Sequence, residues 1–241
     1  MMMHKLKLSI ALFFVVLGVG RVQAQEFAEP FADFFSMKEC FVITNSGEEI
    51  HGKLRGATQS RGFIVRLTLV DEEGRKHKFK AHQIQSFGIR PDAFTKLNTI
   101  NEKTTSIRHA ARTNYNNILD REWIYYDTQV MPRSKKKGML QLLNPGMDEF
   151  IKVYYHPNGS KSMPIAIKGI PVVGGEERTF LVVKGDGDTQ IVRKASFEKA
   201  YRSIFADVPE MLDVRNPHFR NFANHIVNYN ELRYKQLMAE K

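Results

Sequence analysis

A chain of 241 residues with 42% hydrophobic and 11% aromatic content is a globular polypeptide, and that excludes disorder over most of its length. Its 36 basic residues outnumber 26 acidic ones, a formal net charge of +10, which favours anionic partners over basic ones. One cysteine, Cys40, permits no internal disulfide, so stability must come from packing.

Residues 1–7 are basic, residues 8–20 form an apolar run, and Arg21-Val22-Gln23-Ala24 places small residues where a signal peptidase reads them. The pattern predicts a secretory signal over residues 1–24. The run is too short for the ~20 apolar residues that cross a bilayer, and no cysteine follows closely enough for a lipid anchor. Cleavage after Ala24 removes Lys5, Lys7 and Arg21 but no acid, so the mature chain remains basic. The expected destination is the periplasm, the outer membrane or the medium. Residues 25–38 form an arm rich in aromatics (Phe27, Phe31, Phe34, Phe35, with Met37), expected to pack on the body because an exposed patch of that size invites aggregation.

Residues 39–90 read as a first β unit. Alternation around Phe41 and Ile43 leads to the turn Asn45-Ser46-Gly47, where Gly supplies positive φ cheaply. A second hairpin places Phe63, Val65, Leu67 and Leu69 on one face and Ile64, Arg66, Thr68 and Val70 on the other. It turns at Asp71-Glu72-Glu73-Gly74 into a strand dominated by cations, which predicts one solvated face. Residues 91–121 are polar and weakly patterned, and read as a linker or irregular helix between units. Residues 122–194 form a second β unit, with a hairpin expected between residues 139–143 and 150–155, and another across Gly185-Asp186-Gly187-Asp188. From residue 195 the period changes to 3.6. Ser196 is a candidate cap for a helix carrying Phe197, Tyr201 and Ile204, Pro209 marks its expected end, and Asn216-Pro217 is the expected start of a second helix with Phe222, Ile226 and Tyr229 on one face. The fold class is α+β, mainly β: two small twisted antiparallel sheet or half-barrel units followed by two C-terminal amphipathic helices.

Three stretches, FVITNSGEEIHGKL, LVDEEGRKHKFKAHQIQSFGI and FLVVKGDGDTQIVRKASFEKAYRSIFADVPEM, together resemble a family of exported proteins of the Bacteroidetes type that has no established activity. The resemblance leaves residues 90–121 unmatched. It implies a β-rich envelope or secreted protein and transfers no catalytic residue. Val208 stands where such proteins often carry Cys, so no redox role carries over.

The chemistry-bearing residues are sparse. Cys40, His51 and His82 lie in no nucleophile motif. His77 with His82, and His218 with His225, have the wrong spacing for a metal site, and Asp186 and Asp188 lack the later ligands of a calcium loop. No phosphate-cradling loop or hydrolase motif occurs, so no cofactor or metal is expected, although two carboxylates meeting only in space remain open. Positive charge is the strongest signal. Arg66, Arg75, Lys76, Lys78 and Lys80 on the first sheet, and Arg133, Lys135, Lys136 and Lys137 on a turn of the second, are the candidate binding residues. They point to a non-enzymatic exported binding or structural protein whose partner is an anionic envelope polymer or an envelope protein, with peripheral membrane contact open. Nucleic acid is not favoured, because Phe79 alone makes no stacking platform. The alternative is a hydrolase of envelope or extracellular polymer. A pocket gathering acids and histidines separates that class from a shallow basic surface.

Overall fold

The computed structural model describes residues 25–31, 38–104, 106–163, 165–168 and 170–240, with Val173 as backbone only. The expected signal peptide, and Phe34, Phe35 and Met37 of the arm, lie outside these residues. No helix among the described residues is long and apolar enough to cross a membrane.

Seven strands make one antiparallel sheet: β1 (Glu39–Thr44), β2 (Glu49–Ser60), β3 (Phe63–Val70), β4 (Lys76–Lys80), β5 (Ile84–Ile89), β6 (Ile124–Val130) and β7 (Lys137–Gln141). Their order is β2-β1-β5-β6-β7-β3-β4, and β2 also pairs with β3. The sheet therefore closes on itself through six strands, leaving β4 attached outside the ring. The β2–β3 turn puts Arg61 and Gly62 both at positive φ (51° and 79°), the geometry that suits a twisted two-residue hairpin. Asn158 donates to the Arg61 carbonyl at 2.5 Å and holds it there.

The expected alternation along β3 fails at Val65. Arg66 pairs with Thr58, but Ile64 pairs with Gln59, so Val65 is the extra residue of a bulge. A one-residue slip reverses the faces beyond it. Ile64 joins Leu67 and Leu69 in the barrel core, and Phe63 faces outward into a second core.

The first sheet also runs across the expected boundary. Residues 91–121 form α1 (Ala93–Lys103), α2 (Ile107–Arg112) and α3 (Asn116–Leu119), and β6 then returns to pair with β5. Asp92 caps α1 by accepting from the Thr95 N–H at 2.8 Å. It also accepts from Lys38 at 2.7 Å, and Lys38, only 6% exposed, donates to the Thr95 hydroxyl as well.

The chain leaves the barrel at Leu142. The hairpin expected between residues 139–143 and 150–155 reduces to a single bridge, Leu142 to Tyr154, because β7 is already committed to β6 and β3. Buried Asn144 makes the corner: its side chain donates to the Ile151 and Met147 carbonyls and accepts from the Val153 N–H. Beyond it lie β8 (Ile151–Tyr155), the small hairpin β9 (Ile165–Ile167) and β10 (Ile170–Val173), then β11 (Thr179–Lys184) and β12 (Gln190–Arg193). Strands β12, β11 and β8 form a three-stranded sheet in that order.

The C-terminal segment is α4 (Phe197–Ile204), α5 (Pro209–Leu212) and α6 (Phe222–Ala239). Ser196 occupies the position before α4 without a capping bond from its side chain. Pro209 opens α5 rather than only ending α4, in keeping with proline's fit to a first helical position. The last helix begins at Phe222, not at Pro217, and Asn216 instead takes a left-handed turn conformation with φ 52°. Phe197, Tyr201, Phe205, Phe222, Ile226 and Tyr229 cover one face of the three-stranded sheet. Its other face, through Tyr154, Leu181 and Val183, packs on Phe63, Leu140 and Leu142 of the barrel side. Of the arm, Phe27 packs edge-on against Phe180 and Phe222, while Phe31 is buried in the barrel core.

Two glycines of β2 test the closure. A Cβ at Gly52 would meet the Val70 carbonyl oxygen at 2.2 Å, whereas one at Gly56 meets nothing within 4 Å. Gly52→Ala should therefore cost about 1–3 kcal/mol in urea unfolding through forced strand separation, and Gly56→Ala should stay within about 0.5 kcal/mol of the parent. Asp92 gives a second test. The Lys38 ammonium and the Thr95 hydroxyl and N–H lower its pKa to about 2, so its contribution is complete above the ordinary carboxylate value near 4. Asp92→Ala should cost about 1 kcal/mol at neutral pH, mostly as a lost cap. The gap to the parent should close as pH falls from about 4 to 2, read by denaturant unfolding across that window.

Candidate functional site

The outer face of β2, β3 and β4 follows from their registers. Arg66 stands opposite Thr58 on one side and Lys80 on the other; Thr68 lies between Gly56 and Lys78; Val70 lies between Lys53 and Lys76. On β4 the three lysines are exposed while His77 and Phe79 are half-buried, the alternation of a strand with one wet face. These three rows thus present five cations and no acid. Arg66 and Lys80 are direct cross-strand neighbours, an arrangement that like charge destabilises. Among the described residues, Arg66, Lys76, Lys78 and Lys80 enter no ion pair. Arg55, Thr58, Arg66, Thr68, Lys78 and Lys80 line an open trough of about 870 Å³ here, with Gly56 and the two threonines as its low floor.

Arg75 belongs elsewhere. It sits on the β3–β4 turn and binds Asp71 at 2.8 Å and Glu73 at 2.9 Å. Asp71, its side chain 6% exposed, also bonds His77 at 2.7 Å, and these partners, His77 foremost, hold its carboxyl well below the ordinary range. The charge of Arg75 is spent locally. Arg133, Lys135 and Lys136 occupy the β6–β7 turn and Lys137 opens β7, all exposed, with Arg133 at φ 58°. Strand β7 meets β3 at Ile64, two residues along the same edge from the Arg66–Lys80 pair. Burial lowers the pKa of His156, with Arg193 and then Arg133 as smaller electrostatic causes. The fold therefore gathers Arg66, Lys76, Lys78 and Lys80 on one face and leaves the turn as a separate basic projection.

Cys40 is fully buried in the barrel core, and burial pushes its thiol up to about 12, so no thiolate nucleophile exists at neutral pH. Among the described residues no three His, Cys, Asp or Glu side chains group as metal ligands.

A second concavity has no counterpart in the sequence reading. It lies beneath the arm, encloses about 370 Å³, and is walled by the arm, α1 and α2, the segment entering β11, and the residues preceding α4 and α6. Phe27, Phe180 and Phe219 make its apolar floor. Lys103, 3% exposed overall, binds Glu29 at 2.7 Å, and Arg112 binds Glu176 at 3.0 Å. Burial raises the pKa of Glu177, and burial followed by Glu29 raises that of Glu26. Burial, with Lys103 next, lowers that of His109. No sequence signal marks these groups because they come from separate segments, each of which reads alone as an ordinary polar turn or helix end.

Comparisons with protein families, with curated proteins and with solved structures find no match to this chain. A carboxyl titration by NMR should place Glu177 and Glu26 above the ordinary glutamate range, and Asp71 well below the ordinary aspartate range. Ordinary values at all three would remove the electrostatic contrast between cleft and strand turn.

Proposed function

We propose that this chain is an exported binding protein of the cell envelope that lays the outer face of β2, β3 and β4 along an anionic polymer. The observation that carries this reading is the Arg66–Lys80 cross-strand pair, flanked by Lys76 and Lys78, with no acid in the three rows. Folding alone disfavours such an arrangement, and a row of phosphates or carboxylates supplies the missing countercharge. The low Gly56 and threonine floor lets an extended chain approach the backbone, and the threonine hydroxyls add hydrogen bonds. The basic turn at residues 133–137 provides a further contact for a polymer longer than the trough. The signal-like N-terminus supports an envelope location, as does the resemblance of three stretches to exported proteins.

Co-sedimentation of the chain from residue 25 with outer-membrane and murein fractions, each across a salt series, tests this. Binding should fall steeply with ionic strength. Each lysine removed from an anionic surface should cost about 1 kcal/mol, roughly fivefold, so Lys78→Glu with Lys80→Glu should weaken binding by more than tenfold with an unchanged circular dichroism spectrum. Lys135→Glu, Lys136→Glu and Lys137→Glu together should weaken it to a smaller extent. Binding insensitive to salt and to the β4 substitutions would overturn the reading.

A further inference from the structure

The cleft beneath the arm differs in kind from the basic face. Among the described residues four carboxylates and four cations line it, over a floor in which the Phe180 and Phe219 rings stack at 5.2 Å and 11°. Two of the carboxylates are already matched, Glu29 by Lys103 and Glu176 by Arg112. Glu177 is not matched in the same way. Its side chain is 9% exposed, and its one charged partner, Lys161, stands at 3.3 Å from one oxygen, farther than the partners of Glu29 and Glu176. The His109 Nδ1 is buried without a partner. Buried acceptors of this kind are rare in folded proteins and call for donors.

The charge balance limits which donors fit. An organic cation would face Lys103, Arg112, Lys194 and Arg220, and an anion would face the carboxylates. A neutral molecule bearing several hydroxyls meets neither objection. Its hydroxyls can donate to Glu177 and His109 and accept from Lys194 and Arg220, while an apolar C–H face rests on the phenylalanine rings. The volume of about 370 Å³ falls at the lower end of small-ligand sites. We propose that this cleft is a binding site for a neutral saccharide of one or two rings. This site is independent of the polyanion face, since its residues and ligand charge are different.

The test is saturation-transfer NMR on the full chain with glucose, N-acetylglucosamine and cellobiose at about 10 mM, a range that detects millimolar dissociation constants, with phenylethylamine as the cationic comparison. At least one sugar should show transfer to its ring protons. Glu177→Gln and Arg220→Ala should each weaken that binding at least fivefold; Arg220 is exposed, so its removal leaves the fold intact even if Glu177→Gln perturbs it. Lys78→Glu with Lys80→Glu should leave sugar binding unchanged, which separates failure here from failure of the polyanion reading. No transfer to any of the three sugars overturns the proposal. So does transfer to phenylethylamine alone, or sugar binding indifferent to both cleft substitutions.

Discussion

The architecture hangs on strand β11. Thr179, Phe180, Leu181, Val182 and Val183 are all buried, five residues in succession, because the strand has no wet face. Phe180 and Val182 serve the core shared with the helices, whereas Leu181 and Val183 serve the core shared with the barrel. A strand covered on both sides reads as a continuous apolar run rather than an alternation. Strand β7 answers it from the barrel side: Met139 points into the barrel and Leu140 out toward the three-stranded sheet. Barrel, sheet and helices are thus three layers, each supplying a wall that the next one lacks.

Polar contacts then fix how the layers sit. Asp127 on β6 accepts from Tyr154 at 3.0 Å and from Lys152 at 2.8 Å, both on β8, so barrel and sheet are tied at one end by a charged network. At the same end but on the helix-covered face of β11, Lys184 binds Asp207 and lies 4.9 Å from the centre of the Tyr229 ring, while the Tyr229 hydroxyl donates to Asp207 at 2.8 Å. The Asn144 corner uses both its donor and its acceptor, which is what permits a wholly buried amide at the crossover. Nonpolar layers slide easily; these bonds set one register.

The two candidate sites arise from opposite features of this plan. Strand β4 is at the end of the sheet order and, among the described residues, pairs with β3 alone, so its lysines can stay hydrated. Lysines on an edge strand also discourage edge-to-edge pairing between molecules, a role compatible with holding a polyanion. The cleft forms instead where segments distant in sequence converge under the arm. There Glu177 and His109 lose water without gaining full hydrogen bonding, and that deficit shifts their protonation.

The sequence by itself determined the α+β, mainly β class and the sign of the charged face. Alternation marked β4 as half-wet, and the 3.6 period marked Phe197, Tyr201 and Ile204 as one helical face. These are local properties, set by the spacing of side chains along one segment. Only the tertiary structure decided that β6 and β7 complete the first sheet, because strand pairing depends on closure across distant residues. The bulge that turned Ile64 inward belongs to the same class, since its extra residue is visible only against Gln59 and Thr58 of the partner strand. So does the cleft, whose glutamates, lysine and histidine acquire their chemistry from burial together, a property that no single stretch of sequence carries.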